Sequence, residues 1–291
     1  MAKSSIMLRI GKTKVIEEQF NNCYLNFCCP ANWIDLAQKD MTGTADKYEA
    51  VFAHVKKGDP RIEKLSRGNI TNLVLGYWFD EGPDDTVYIR DVQMCLKPML
   101  CVYSLDLVDA AKHFGIRPNT GDWIEIDLRP YMDSMTDSKM EDYSVMVIYE
   151  PTYLMDELKR EIPKVVSSYV NIEKRFFDPD DPVVLDYVKY DLDINKLFWK
   201  RPGESVFSKQ YIEKYRVQHE ARIVIPDTFF YGLPRTMPFH ELKVPVPGLQ
   251  SYVHVQPASM FNSMLFTKFS EGYHRFTVHG GKKIFKENEK E

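Results

Sequence analysis

Short stretches in which apolar and polar residues alternate, each broken by Gly, Pro or Asp, dominate the first half of the chain. CYLNF (Cys23 to Phe27), NLVLGYWF (Asn72 to Phe79), TVYIRDV (Thr86 to Val92) and MLCVYSL (Met99 to Leu105) are rich in Tyr, Val, Leu and Phe, and this pattern predicts strands. WIEIDL (Trp123 to Leu128) follows the turn-forming NTGD and alternates in the same way. Helical spacing is rarer. DLVDAAKHF begins at Asp106 and ends at Gly115, where a helix C-cap glycine would sit. TYLMDELKREI begins at Thr152 and is expected to stop before Pro163, and a further helix is expected over about Asp46 to Val55. Helices that interrupt many short strands, rather than alternating with them, predict an α+β fold with a mixed, mainly antiparallel sheet core.

One domain is expected over 1–281, with a charged tail, KKIFKENEKE, over 282–291. FDPDDP (Phe177 to Pro182) is the best internal loop or boundary signal, because Asp and Pro form turns. No internal repeat or low-complexity tract is present, which argues against a solenoid.

The chain has 291 residues, 44% of them hydrophobic and 27% charged, the balance of a folded globular protein. No apolar run approaches the ~18 residues of a membrane span, and Arg9 interrupts the apolar stretch near the N-terminus, so no secretory signal is expected. Five cysteines, two of them adjacent at Cys28 and Cys29, form neither a disulfide framework nor a C-x2-C metal knuckle. A reducing, cytoplasmic setting fits, without a bound metal. The net charge of −4 disfavours broad binding to nucleic acid. The only metal-like acidic pattern, Asp191 and Asp193 in YDLDINK, reads more simply as a turn.

P-loop, dinucleotide-binding, nucleophile-elbow and kinase signatures are all missing. What remains is YIEKYRVQHEARIVI, Tyr211 to Ile225. If it is extended, Gln218, Glu220 and Arg222 share one face, spaced ~6.6 Å apart, while Val217, His219, Ala221, Ile223 and Ile225 share the other. The ordinary account of such a stripe is a solvent face with cross-strand ion pairs. Likewise, Arg9 would be a surface arginine, and Asp46 and Glu49 in DKYE, at i and i+3 of the expected helix, could face a cleft but read more simply as a solvated helix face.

The Q-x-E-x-R of Gln218, Glu220 and Arg222, preceded by FSKQY (Phe207 to Tyr211), resembles a pattern of uncharacterised phage and prophage proteins and of distant ADP-ribosyltransferases. Arg9 in MLRIG, then Tyr24 in CYLNFCC with Pro30 and Trp33, stand in a matching order. The resemblance implies a host-cell protein that binds NAD and transfers ADP-ribose to a host macromolecule. Glu220 would then face the cation developing on the ribose, Gln218 would orient the acceptor, and Arg9 would grip a phosphate. Tyr24 would support the site, and Arg222 would keep Glu220 ionised. The chain departs from the pattern in lacking Ser-Thr-Ser between Arg9 and Glu220, which leaves that supporting role to Tyr24 or Asn26. The same resemblance is compatible with a second reading: a phage protein without chemistry that binds a host defence complex. Aromatics at FFYG (Phe229 to Gly232) and from Tyr252 to Phe261 would form its contact surface. Self-association fits either reading.

Overall fold

A computed structural model describes residues 5–38, 48–68, 76–106, 116–118, 123–127, 142–210, 219–231, 240–260, 263–267 and 276–279. The chain begins with β1 (Ser5–Lys12), α1 (Thr13–Asn21), β2 (Tyr24–Phe27), α2 (Pro30–Gln38), β3 (Val51–Lys56) and α3 (Pro60–Gly68). It continues through β4 (Tyr77–Glu81), β5 (Thr86–Asp91), α4 (Val92–Cys95), β6 (Met99–Asp106), β7 (Ile116–Pro118), β8 (Trp123–Asp127) and β9 (Tyr143–Ile148). After α5 (Pro151–Ser168) come β10 (Ile172–Glu173), β11 (Val184–Tyr187), β12 (Lys189–Leu192), β13 (Phe198–Trp199), β14 (Ser208–Gln210) and β15 (Glu220–Val224). The last described elements are β16 (Phe229–Phe230), β17 (Leu242–Pro245), α6 (Leu249–Tyr252), β18 (Val253–Pro257), β19 (Ser263–Thr267) and β20 (Phe276–His279).

A six-stranded sheet in the order β11-β15-β6-β1-β9-β18 forms the centre, and every pairing in it is antiparallel. Four-stranded sheets in the orders β13-β3-β5-β4 and β20-β19-β8-β7 accompany it, with two-stranded pairs at β17-β2, β10-β16 and β12-β14. Only β12-β14 is parallel among these ladders. The fold is α+β with a mainly antiparallel core, as the sequence pattern implied.

One face of the central sheet packs on α5. Leu154, Leu158, Ile162 and Val166 are all buried, and their four-residue spacing forms one stripe of that helix. The stripe carries the helix through Pro163, so the expected stop before Pro163 is corrected: burial on both sides of the proline outweighs the backbone hydrogen bond it cannot donate. The core they join runs from Met7 to Val253 and takes side chains from both sides of the FDPDDP loop.

A second correction concerns the helix expected over Asp46 to Val55. Residues 48–50 are a turn and Val51 already begins β3, whose first five residues are buried. VFAHV is enclosed on both faces, and a short run of that kind carries no period by which to tell strand from helix. Asp46 itself lies outside the described residues, as does most of the helix expected from Asp106, the residue that closes β6.

Strands β1 and β2 meet β6 one after the other along the same edge. Leu8 pairs with Tyr103, while Cys28 bridges Met99 through two backbone hydrogen bonds, which leaves Cys101 between them. Arg9 fills this split, donating from Nη1 to the Cys101 carbonyl at 3.3 Å and from Nη2 to the Asn26 carbonyl at 3.5 Å. Its Nε is buried without an acceptor among the described residues. Arg9→Met should therefore cost about 1–2 kcal/mol in urea unfolding, the penalty for leaving two carbonyls unmatched. A loss of 4 kcal/mol or more would show that Arg9 carries more than this bridge, ~4 being what breaking a buried ion pair costs.

Candidate functional site

Strand β15 places Glu220 and Arg222 opposite Tyr103 and Cys101 of β6. His219, with φ of 47°, turns the chain into the strand in the left-handed region. Alternation sends Ala221, Ile223 and Ile225 into the core, as expected, but the other face is not wet: Glu220 is 2% exposed and Arg222 0%. The solvent-face account of this stripe is thereby corrected. Three elements roof it. These are the 3-10 turn Pro202–Phe207, strand β14, and α2 with Trp33, whose ring lies 5.5 Å from the Arg222 guanidinium carbon.

Four donors surround the Glu220 carboxylate. Arg222 donates to Oε1 from Nε and Nη2, both at 3.2 Å, while Lys209 Nζ at 2.8 Å and the Tyr190 hydroxyl at 3.1 Å donate to Oε2. A carboxylate has about four lone-pair positions, so this one has no acceptor site left over. Arg222 Nη1 donates onward to Glu49 Oε1 at 2.5 Å and to the Val206 carbonyl. Lys209 also lies 3.9 Å from Glu49 Oε2. Two buried carboxylates thus face two cations, and only Lys209, 20% exposed, reaches the surface. The polar chain extends into the β3-β5-β4 sheet, because Arg90 donates to the Glu49 carbonyl and pairs with Asp80.

Charge balance governs the titration of this cluster. Burial alone would raise the Glu220 carboxyl, but the charges of Lys209 and Arg222 and the hydrogen bonds from Lys209 and Tyr190 hold it down at about 2. Burial would lower Lys209 and Arg222, and the two glutamates raise both instead. Cys101, beside them, is pushed up to about 12 chiefly by burial and so remains a thiol. Tyr190 and Tyr103 are raised by burial and by the nearby Glu220 charge.

Of the residues singled out in the sequence, Glu220 and Arg222 come together, and Arg222 does help keep Glu220 ionised. Gln218 lies outside the described residues. Tyr24 belongs to the β2-β17 pair, where its hydroxyl donates to Glu18 at 2.8 Å and Lys243 sits 4.8 Å from its ring. Arg9 bonds to backbone carbonyls rather than to Glu220, and burial lowers its pKa against the opposing influence of Cys28, Cys101 and Tyr103. Glu49, Lys209 and Tyr190 were missed as partners. The sequence presents Glu49 in DKYE chiefly as a solvated helix position, a reading corrected by its 1% exposure in a turn, and its partner Arg222 is 173 residues away, whereas Lys209 stood inside the FSKQY stretch next to the motif.

Two surface cavities lined by described residues lie elsewhere. One, of about 410 Å³, is bordered by His54, Arg61, Phe198 and Trp199; the other, of about 400 Å³, by Asp191 to Asn195 and Gln210. Asp191 and Asp193 of the second are paired with Lys200 and Lys196. Among the described residues, no group of three or more His, Cys, Asp or Glu is arranged to hold a metal ion, and no helix is long and apolar enough to cross a membrane. All five cysteines are free. No protein-family model, curated protein or solved structure matches the chain.

Proposed function

We propose that this protein works by binding a partner protein, with the Glu49, Arg222, Glu220 and Lys209 cluster as an internal brace rather than a catalytic centre. The observation that carries this reading is the saturation of Glu220: two Arg222 nitrogens, Lys209 and Tyr190 occupy its oxygens in a site 2% exposed. A carboxylate that stabilises a ribosyl cation must offer a free oxygen to the sugar and must be reached by it. Glu220 does neither. The resemblance to phage proteins makes a host protein complex, in the host cytoplasm, the partner class.

The transferase reading keeps one feature in its favour. Arg9 is a buried guanidinium held only by two long carbonyl contacts, with no carboxylate partner among the described residues, as a phosphate-gripping arginine would be. In that reading NAD is the substrate and no metal takes part, but Glu220 must first shed its partners.

Incubating the purified protein with NAD and a bacterial lysate, then following nicotinamide release, separates the two readings. The binding reading expects release no faster than without the protein, together with co-elution of the chain in a larger complex on size exclusion. Turnover that disappears in a folded Glu220→Gln protein would replace it with the transferase reading.

A further inference from the structure

We propose that the face around the β10-β16 ladder docks a basic segment of the partner protein, an apolar side chain of that segment seating against Phe176. This rests on the binding reading above and names the surface and the chemistry it recognises. Val170 and Phe176, 81% and 74% exposed, are the most exposed large hydrophobic residues among those described, and Tyr231 adds a third at 39%. All three border one small ladder. Tyr231 donates its backbone N–H to the Asn171 carbonyl next to Val170, and its hydroxyl donates to Glu173 Oε2 at 3.1 Å.

Phe176 is held outward by its surroundings. Glu173 Oε1 accepts the backbone N–H of Lys174 and Arg175 and the Arg175 Nε, which fixes the turn. Lys174 Nζ donates to the Val166 and Ser167 carbonyls at the end of α5. Phe177, the next residue, packs against the core, so its neighbour faces solvent. An aromatic side chain presented by a braced turn loses little conformational freedom on binding, the condition under which such residues dominate interface energetics.

The charge beside this patch is net negative, four carboxylates against Lys174 and Arg175 over residues 173–181. Asp178, Asp180 and Asp181 are exposed, and among the described residues no cation pairs with them, while the two neighbouring cations are already engaged, Lys174 with α5 carbonyls and Arg175 with Glu173. Asp178 accepts the Asp180 N–H, its only hydrogen bond among the described residues, and Val183 returns the chain to the core. An apolar knob followed by three unpaired carboxylates complements Lys or Arg residues flanking an apolar side chain, and it repels nucleic acid.

The test is an NMR titration of the isotope-labelled full chain with a short amphipathic Lys-Leu peptide and with its Glu-Leu counterpart. Shifts confined to residues 170–181 and 229–231 with the basic peptide alone are expected. Affinity should fall about tenfold in Asp178→Asn/Asp180→Asn/Asp181→Asn, the summed effect of three exposed ion pairs. Phe176→Ser should weaken it at least as much. Equal binding of the acidic peptide, shifts centred elsewhere, no binding, or unchanged affinity in both variants would each overturn the proposal. All four substitutions are on exposed side chains, and unchanged spectra outside the patch confirm the fold. NAD turnover decides the binding reading independently, so a failed titration without turnover removes this surface and leaves that reading standing.

Discussion

Arg222→Met lowers the free energy of unfolding by about 3–5 kcal/mol, a large part of the stability of a protein this size. The side chain it removes is 0% exposed and donates to Glu220 Oε1, Glu49 Oε1 and the Val206 carbonyl. Methionine fills similar space and packs against Trp33, so the loss is not chiefly a cavity effect. It arises because two carboxylates are left in a dry interior with Lys209 as their only described cation. Restoring charge balance should recover part of the loss: Arg222→Met combined with Glu49→Gln is expected to be more stable than Arg222→Met alone. Lys209→Met should cost less than Arg222→Met, because the lysine is itself 20% exposed and Arg222 still pairs with both glutamates. Urea unfolding followed by circular dichroism measures all three. A loss below about 1 kcal/mol for Arg222→Met, the scale of a surface pair, would mean that the cluster does not brace the fold.

The order and type of many strands were legible because their two faces differ or their composition is strongly β-forming. β2, β5, β6 and β8 fall where CYLNF, TVYIRDV, MLCVYSL and WIEIDL placed them. Less legible were elements decided by tertiary burial. α5 passes Pro163 because Ile162 and Val166 are both buried, and β3 displaces an expected helix because VFAHV is enclosed on both sides. The site shows the same division. Alternation correctly separated Glu220 and Arg222 from Ala221 and Ile223, but it could not say that the polar face would be roofed by residues 202–207. A buried ion cluster and a wet stripe have the same local sequence, and the difference lies in partners such as Glu49, which are distant along the chain. The aromatics of FFYG divide similarly: Phe229 and Phe230 are buried with Tyr252, which corrects their reading as contact surface, and only Tyr231 faces out.

Acid should undo this brace from one side of the pH scale only. Glu220 has an ordinary value of 4.5 and is held at about 2 in the folded chain, with burial opposing the shift and Lys209 and Arg222 producing it. Because the folded-state value is the lower one, the unfolded chain binds the proton more readily. The stabilisation is therefore fully present above pH 4.5 and is lost as pH falls from there through about 2. The size of the shift corresponds to roughly 3 kcal/mol at full development. Glu173, also held at about 2 by Arg175, and Asp59, held at about 2 by Arg61, titrate in the same window, so the wild-type curve alone cannot isolate Glu220. His240 contributes higher up: burial lowers its pKa below 6.5, so its share is lost as pH falls past 6.5. Subtracting the curve of Glu220→Gln removes these common contributions. The wild-type chain should exceed the variant most at neutral pH, and the gap should narrow steadily below 4.5, since protonated Glu220 and glutamine are both neutral beside the same two cations. A gap that stays constant from pH 4.5 down to about 2, the whole of that window, would mean that the carboxylate gains nothing from its charge, and that Lys209 and Arg222 hold it by shape alone.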